Sequence, residues 1–292
     1  MRVLVTGAAG FIGRHVCKAL WEAGHEVFEV DLVAPEGKGH LWTVHDITKP
    51  FSQSPVILDA VIHLAALAAP RECDANPTRA FDINVNGTLQ VLRMALASGA
   101  RKVIFASSAH VYDVPPRYFP TDEAHPLRLN NTYTTTKLLG EQLCELFWEN
   151  HGLPYTTLRL FNVYGPGQAP GYFIPDQLAK AAKGDFELSG SNITKDWVHV
   201  TDVARAFVLA LESTYVGALN VGTGVETDLG TIASIIAEAY GVQVGTHPAA
   251  IPTRMCADWH RAQRILGWSP KVSLPEGLHE LLGNQAKVPT LC

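Results

Sequence analysis

The chain opens with the stretch that decides its fold, Met1-Arg2-Val3-Leu4-Val5-Thr6-Gly7-Ala8-Ala9-Gly10-Phe11-Ile12-Gly13-Arg14-His15-Val16. A short β-branched run leads into three evenly spaced glycines, and an apolar pattern of helical period follows. Strand, tight turn and helix are the context that a dinucleotide-binding glycine motif requires. Gly7 suits the turn, Gly10 a close approach to a pyrophosphate, and Gly13 close packing of helix on strand. We therefore predict that Gly7, Gly10, Phe11, Ile12 and Gly13 bind a dinucleotide.

An acidic residue ends the second predicted strand. Residues 25–30 form this strand, and it leads to Asp31, 18 residues after Gly13. Dinucleotide folds place an acid here, where it binds the adenosine ribose hydroxyls. A carboxylate at this point repels a 2′-phosphate, and no Arg follows closely to accept one. The position predicts NAD rather than NADP; the alternative is an Asp that only caps the turn after the strand.

Composition restricts the class of protein. The chain has 292 residues, 47% of them hydrophobic and 17% charged, which is ordinary for a soluble globular enzyme. Its net charge of −5 gives no reason to expect a nucleic-acid partner. The five cysteines are scattered without zinc-ligand spacing, so we expect reduced thiols and no metal. No apolar run reaches the roughly 20 residues that span a bilayer, and no signal peptide is evident. We expect a cytoplasmic protein with no membrane association.

Strand and helix patterns alternate through the first part of the chain. Strands are predicted at residues 60–64, 102–106 and 156–160, and helices at 78–98 and 133–151. The alternation predicts an α/β fold with a Rossmann-type doubly wound parallel sheet, which binds ligands at the carboxyl ends of its strands. Beyond Asn162 the chain is rich in Gly and Pro, and its elements are shorter. We predict a domain of residues 1–163 that also receives 194–223, and a smaller C-terminal substrate lobe of residues 164–292.

Tyr133 and Lys137 are four residues apart, so they project from one face of the predicted helix. An ammonium beside a phenol favours the phenolate and lowers the tyrosine pKa from roughly 10 towards neutrality. Such a phenol could take a proton from an alcohol at physiological pH. The alternative is an exposed pair on a helix, which is the commoner origin of this spacing.

Further motifs follow one another in the order that a single family shows. They are Asp46-Ile47, His63-Leu64-Ala65-Ala66, Asn84-Val85-Asn86-Gly87-Thr88, Ser107-Ser108-Ala109-His110-Val111-Tyr112, Tyr133-Thr134-Thr135-Thr136-Lys137, Leu158-Arg159-Leu160-Phe161-Asn162-Val163-Tyr164-Gly165-Pro166, Asp196-Trp197-Val198-His199-Val200, Asn220-Val221-Gly222-Thr223-Gly224 and Leu266-Gly267-Trp268-Ser269-Pro270. With these motifs, almost the whole chain resembles the extended short-chain dehydrogenase/reductase family, in its nucleotide-sugar epimerase/dehydratase branch.

The resemblance implies roles for individual residues. Tyr133 would be the acid/base, Lys137 its tuner and a nicotinamide-ribose ligand, and Ser108 the hydroxyl that bonds the reacting sugar oxygen. Further NAD contacts would come from Asp46, Ile47, Ala65 and Ala66. The nucleotide sugar would be bound by Ser108, His110, Asn162, Lys195 and Arg254. Lys195 stands where the family usually has Arg, and Arg254 is the nearest candidate for a diphosphate ligand.

The resemblance also implies a reaction. It is NAD-dependent epimerisation of a nucleotide sugar of the UDP-glucose/UDP-galactose type, N-acetylhexosamines included, through a transient 4-keto sugar. The family's 4,6-dehydratases have an acid where this chain has Ala109, so dehydration is disfavoured. A 4-ketoreductase or dehydratase of a sugar-tailoring pathway and a non-catalytic NAD-binding regulator stay open as alternatives. A homodimer is implied through the helices at 78–98 and 133–151.

Overall fold

The computed structural model describes residues 1–34, 41–51 and 57–283, and every structural statement below concerns these residues. The strands are β1 Arg2–Thr6, β2 Glu26–Asp31, β3 Leu41–Val44, β4 Ala60–His63, β5 Val103–Ser108, β6 Tyr155–Leu160, β7 Asn162–Tyr164, β8 Phe186–Ser189, β9 Thr194–His199, β10 Gly217–Val221, β11 Glu226–Asp228 and β12 Val244–His247. The helices are α1 Phe11–Glu22, α2 Pro70–Ala75, α3 Pro77–Phe81, α4 Gly87–Ala97, α5 Thr132–His151, α6 Phe173–Ala181, α7 Val200–Glu212, α8 Leu229–Tyr240, α9 His260–Leu266 and α10 Leu274–Leu282.

A seven-stranded parallel sheet forms the centre of the molecule, in the order β10-β6-β5-β4-β1-β2-β3. The order reverses between β1 and β4, which is where doubly wound sheets bind nucleotides. The predicted Rossmann-type fold is confirmed. Strand β10 comes from late in the chain and pairs with β6. The exact domain boundaries stay a prediction.

Helices cover both faces of this sheet. On one face α1 and α7 pack on the fully buried strand residues Val3 and Val5, and α7 contributes the fully buried Phe207. On the other face α4 and α5 pack on a second cluster around Val61 and Phe105. Burial on both faces explains why these strands are nearly continuous apolar runs. None of the helices in the described part of the chain has the length and apolar character needed to cross a bilayer.

A smaller lobe carries its own core. Two small sheets, β11-β9-β7 and β12-β8, pack with α6, α8 and α10. The fully buried side chains of Tyr164, Ile174 and Ile232 lie at the centre of this lobe. Because β7 directly follows β6, the lobe begins at the carboxyl edge of the central sheet, where ligands bind.

The helix predicted at residues 78–98 is interrupted. A π-helical turn, Asp82–Asn86, separates α3 from α4. Inside it, Asn84 accepts a hydrogen bond from the Leu67 N–H at 2.7 Å and donates to the Leu67 carbonyl at 3.0 Å and to Thr136 Oγ1 at 2.9 Å. The side chain therefore fixes the segment after β4 against α5. Such turns often mark functional sites.

Candidate active site

The turn from β1 to α1 accepts only glycine at two positions. Gly7 has a φ of +72°, and a Cβ there would lie 2.7 Å from the Ala65 nitrogen. A Cβ on Gly13 would lie 2.0 Å from the Gly7 carbonyl oxygen. The loop thus packs directly on its own helix and on the backbone after β4. The helix α1 has no side-chain cap at its N-terminus, so its first amides suit a phosphate.

Asp31 ends β2 beside this turn. Its carboxylate accepts hydrogen bonds from the Ala9 N–H at 2.9 Å and from the Leu32 N–H at 2.7 Å. Each oxygen keeps a further lone pair for a ribose hydroxyl. The carboxylate therefore holds the glycine loop in place and still has the acceptor capacity that an adenosine ribose requires.

A cavity of about 750 Å³ lies along the carboxyl ends of β1, β2 and β4. All the residues predicted to bind the cofactor line it, together with the tyrosine of the predicted catalytic set: Gly7, Gly10, Phe11, Ile12, Gly13, Asp31, Asp46, Ile47, Ala65, Ala66, Tyr133 and Lys137. The lining residues run from Asp31 and the glycine turn to the Tyr133–Lys137 pair. This arrangement fits a dinucleotide.

Asp46 and Ile47, two of the predicted cofactor contacts, line this cavity. Asp46 accepts a hydrogen bond from the Thr48 N–H at 2.9 Å, and this bond lowers the pKa of the Asp46 carboxyl. Ile47 is buried, and a Cβ on Gly87 would come within 2.8 Å of its side chain. Asp46 thus shapes the turn, and Ile47 supplies an apolar surface anchored on α4.

Tyr133 and Lys137 lie at the other end of the cavity. Asn131 caps α5 by accepting a hydrogen bond from the Thr134 N–H at 2.8 Å, which places Tyr133 in the first turn. The Lys137 ammonium donates to the Ala106 carbonyl oxygen at 2.8 Å and lies 5.9 Å from the centre of the Tyr133 ring. Both side chains are buried.

The pKa values of this pair differ from the sequence-based prediction. Burial raises the pKa of Tyr133 to about 12, although a hydrogen bond from Ser108 acts to lower it. Burial also lowers the pKa of Lys137 to about 8. The prediction that Lys137 lowers the tyrosine pKa is therefore wrong for these side chains by themselves. The reason is that desolvation outweighs the ammonium, which is turned towards the Ala106 carbonyl.

His110 and Lys195 lie near each other on the substrate side. Ser108 ends β5 and accepts a hydrogen bond from the His110 N–H at 3.2 Å. Burial, and next the charge of Lys195, lower the pKa of His110 to about 4, so the imidazole is neutral at physiological pH. Its ring meets the Tyr133 ring edge-on with 6.4 Å between centres. Burial lowers the pKa of Lys195 as well.

Asn162 joins this group, whereas Arg254 does not. The Asn162 amide donates to the Asp196 carbonyl at 3.1 Å and contacts the Met255 sulfur at 3.6 Å. Arg254, the next residue to Met255, is exposed, forms an ion pair with Glu226, and lies over the Phe119 ring. The structure therefore brings Ser108, His110 and Lys195 near one another. Asn162 lies on β7, which pairs with the strand that carries Lys195, and the Arg254 guanidinium is bound by Glu226. Their role in binding a substrate stays a prediction.

Several residues at the site escaped the sequence reasoning. Tyr172, directly before α6, and Arg79, on α3, line the same cavity as the predicted cofactor residues. No periodic signal marks them, because loop and short-helix positions reach the cavity only through tertiary packing. Glu141, on α5, forms a buried ion pair with Arg159 of β6. Glu141 continues the four-residue spacing of Tyr133 and Lys137, and that spacing could have identified it.

The fold, the glycine turn and the Ser-Tyr-Lys set together define an NAD-binding enzyme of the short-chain dehydrogenase/reductase class. Comparison with known proteins narrows this class. The chain belongs to the NAD-dependent epimerase/dehydratase family, which it matches over residues 3–222. NAD is the cofactor of this family, and the residues of the cavity fit it.

Similar proteins differ in their reactions. The UDP-glucose 4-epimerase of Mycolicibacterium smegmatis is 32% identical over 95% of this chain and 96% of its own length. The UDP-glucuronic acid decarboxylase 6 of Arabidopsis thaliana is 30% identical over 95% of this chain and 87% of its own. The crystal structure of the UDP-glucose 4-epimerase of Thermotoga maritima with UDP-glucose has a TM-score of 0.88, at 30% identity and 97% coverage of both chains. The chain is therefore a family enzyme, and these identities do not fix its reaction.

Proposed function

We propose that the protein is a 4-epimerase of a nucleotide sugar of the UDP-glucose/UDP-galactose type. The observation that carries this proposal is the meeting of Tyr133 and Lys137 in the cofactor cavity, with Ser108 beside the Tyr133 phenol. The similarity to UDP-glucose 4-epimerases over nearly the full chain supports the same reaction.

The three side chains divide the chemistry of oxidising a sugar hydroxyl. When bound, NAD accepts and returns a hydride, and its positively charged ring favours a nearby phenolate. Tyr133 takes the hydroxyl proton as the hydride leaves the same carbon, which gives a 4-keto sugar. Ser108 donates a hydrogen bond to the developing carbonyl oxygen. After the sugar turns over in the site, Tyr133 returns its proton to that oxygen while hydride adds to the other face.

The neighbours of Ser108 favour epimerisation over elimination of water. Ala109 is fully buried and carries no group that could move a proton or release hydroxide. His110 is half-buried, and its imidazole is neutral at physiological pH. Neither of the two residues that follow Ser108 therefore supplies the carboxylic acid or carboxylate that elimination of water would use.

A panel of nucleotide sugars tests the proposal. The NAD-loaded protein is incubated with UDP-glucose, UDP-galactose, their N-acetyl forms and UDP-glucuronic acid, and products are followed by ¹H NMR. We expect interconversion of a gluco/galacto pair without net NADH formation. Net NADH consumption with a keto sugar would instead identify a ketoreductase, and carbon dioxide release from UDP-glucuronic acid a decarboxylase. If no gluco/galacto pair interconverts, the epimerase proposal is refuted.

Tyr133→Phe provides the mechanistic control. Loss of the general acid/base should lower kcat by about 10²–10⁴-fold while NAD stays bound. Tyr240→Phe alters a partly exposed tyrosine at the end of α8 and should leave kcat unchanged. Full activity of Tyr133→Phe would remove the phenol from the reaction.

A further inference from the structure

The helix α5 holds the end of β5 by two hydrogen bonds from successive helical turns. The Lys137 ammonium donates to the Ala106 carbonyl at 2.8 Å, and Glu141 accepts a hydrogen bond from the Ser107 hydroxyl at 2.5 Å. One turn earlier on α5 lies Tyr133, and one residue later on β5 lies Ser108, both of the catalytic set described above. Ser107 lines the cofactor cavity, but its hydroxyl is directed to Glu141 and has no step in the proposed reaction.

Glu141 is held rigidly on its other side. Its Oε1 accepts a hydrogen bond from Arg159 Nε at 3.1 Å, and its Oε2 accepts one from Arg159 Nη2 at 2.7 Å. The two side chains are only 11% and 6% exposed. A bidentate, buried guanidinium–carboxylate pair has a single geometry. Glu141 therefore offers Ser107 a fixed acceptor.

Arg159 extends this contact to the substrate side. Its Nη1 donates to Tyr112 Oη at 3.2 Å and to the Glu123 carbonyl at 3.3 Å. Tyr112 in turn donates to Asn220 Oδ1 at 2.5 Å. One buried guanidinium on β6 thus joins the catalytic helix to the segment after β5 and to β10. Any shift of Arg159 changes how α5 sits relative to Ser108.

We propose that Ser107, Glu141 and Arg159 are positioning residues that fix the separation of the Ser108 and Tyr133 hydroxyls for hydride transfer. This inference rests on the proposed function, because there both hydroxyls act on one sugar oxygen. Displacement of a reacting group by about 1 Å can cost on the order of 10²-fold in rate. A strand end that is free to slide along α5 would allow such a displacement.

The main test is Ser107→Ala in the NAD-loaded protein. The change removes one hydroxyl and leaves the Arg159–Glu141 pair intact, so the protein should fold. We expect kcat to fall about 10- to 100-fold, with the sugar KM and the NAD affinity within about 2-fold of wild type. Ser107→Thr keeps the hydroxyl and should recover most of the rate.

Thr156→Val is the matched control. Thr156 is fully buried near the amino end of β6, and its hydroxyl donates to the Tyr215 carbonyl at 2.8 Å. The substitution loses a buried hydrogen bond of the same kind at the far end of the sheet. It should lower the thermal stability about as much as Ser107→Ala and leave kcat within about 2-fold of wild type.

A second readout needs no substrate. The ¹³Cζ chemical shift of Tyr133 reports the ionisation and hydrogen bonding of the phenol, and Tyr133→Phe assigns the signal. The groups that act on Tyr133 are Ser108 on β5, Cys73 on α2, Tyr172 before α6, and Lys137 and His110 beside its ring. Ser107→Ala leaves all of these side chains unchanged, so a moved signal reports a changed position of Ser108.

The two readouts separate this inference from the proposed function. If no sugar is converted by the wild type, the epimerase proposal fails, and the Tyr133 signal still decides the positioning role. A shift in Ser107→Ala, absent in Thr156→Val and reversed in Ser107→Thr, supports it. An unmoved Tyr133 signal in Ser107→Ala overturns it, and so does a kcat that Ser107→Ala and Thr156→Val lower equally.

Discussion

Gly13→Ala should separate the cofactor loop from its helix. The added Cβ would lie 2.0 Å from the Gly7 carbonyl oxygen and 2.8 Å from the Ala8 Cα, whereas Cβ contacts under 3.0 Å essentially never occur. Both partners are backbone atoms, so no side chain can move aside. The loop and α1 must therefore move apart by about 1 Å. Overpacking of this kind typically lowers the free energy of unfolding by about 1–3 kcal/mol or more. The same displacement at a phosphate-binding loop should weaken NAD binding about 100-fold.

Calorimetric titration with NAD and urea unfolding measure the two effects. Gly24→Ala is the control, because Gly24 has a φ of +79° and an added Cβ there would meet no described atom within 4 Å. It should cost about 1–2 kcal/mol through backbone strain alone and leave NAD affinity unchanged. If Gly13→Ala binds NAD within about 3-fold of wild type, the close packing of loop on helix is not what shapes the site.

Three further predictions concern titration and assembly. His110 has a pKa of about 4, so its imidazole should stay neutral in histidine NMR spectra down to about pH 4. Because the pKa of His110 is higher in the unfolded chain, the unfolded chain binds more protons between the two pKa values. Urea unfolding should therefore show the stability falling as pH drops through this range, and falling less in His110→Gln. Lys137 should titrate near pH 8 in ¹³C-lysine spectra, and Lys137→Met should remove that signal while the signal of Lys102, also near pH 8, remains. Because burial depresses the folded pKa of Lys137, this residue should add stability as pH rises from 8 towards its unfolded pKa. We predict a homodimer through the helices at 78–98 and 133–151. Leu146 of α5 is 49% exposed, so Leu146→Glu should be monomeric by light scattering; a monomeric wild type would contradict the prediction.

The central fold could be predicted because its signals are local. The apolar runs at β1, β4, β5 and β6 lie within one or two residues of the predicted strands, since buried parallel strands need continuous apolar sequence. The glycine turn could also be predicted, because Gly7 adopts a positive φ within the turn and Gly13 packs on the Gly7 carbonyl of the same short segment. The π-helical turn at Asp82–Asn86 was not, because it depends on Asn84 reaching Leu67 in another segment.

The substrate side was harder to predict for the same physical reason. Arg254 carries the right charge for a diphosphate, but the sequence gives no sign that Glu226, on a neighbouring strand segment, binds its guanidinium. Tyr172 reaches the cofactor cavity only because the loop before α6 folds over the carboxyl edge of the sheet. Such contacts between distant segments have no periodic trace.

For Tyr133 and Lys137, the spacing correctly predicts their shared helix face, but the predicted pKa shift leaves out the effect of burial. Their spacing predicts a shared helix face, and α5 provides it. The expected fall in tyrosine pKa assumed that the ammonium acts on the phenol while both remain solvated. Burial instead raises the pKa of Tyr133 to about 12 and lowers that of Lys137 to about 8. A site with so little solvent disfavours both the phenolate and the ammonium. The same low dielectric strengthens the electrostatic interactions of any charge that is held in place there. The contacts that hold Lys137 on Ala106 and Ser107 on Glu141 therefore matter for the reaction, because in such surroundings catalysis depends on position.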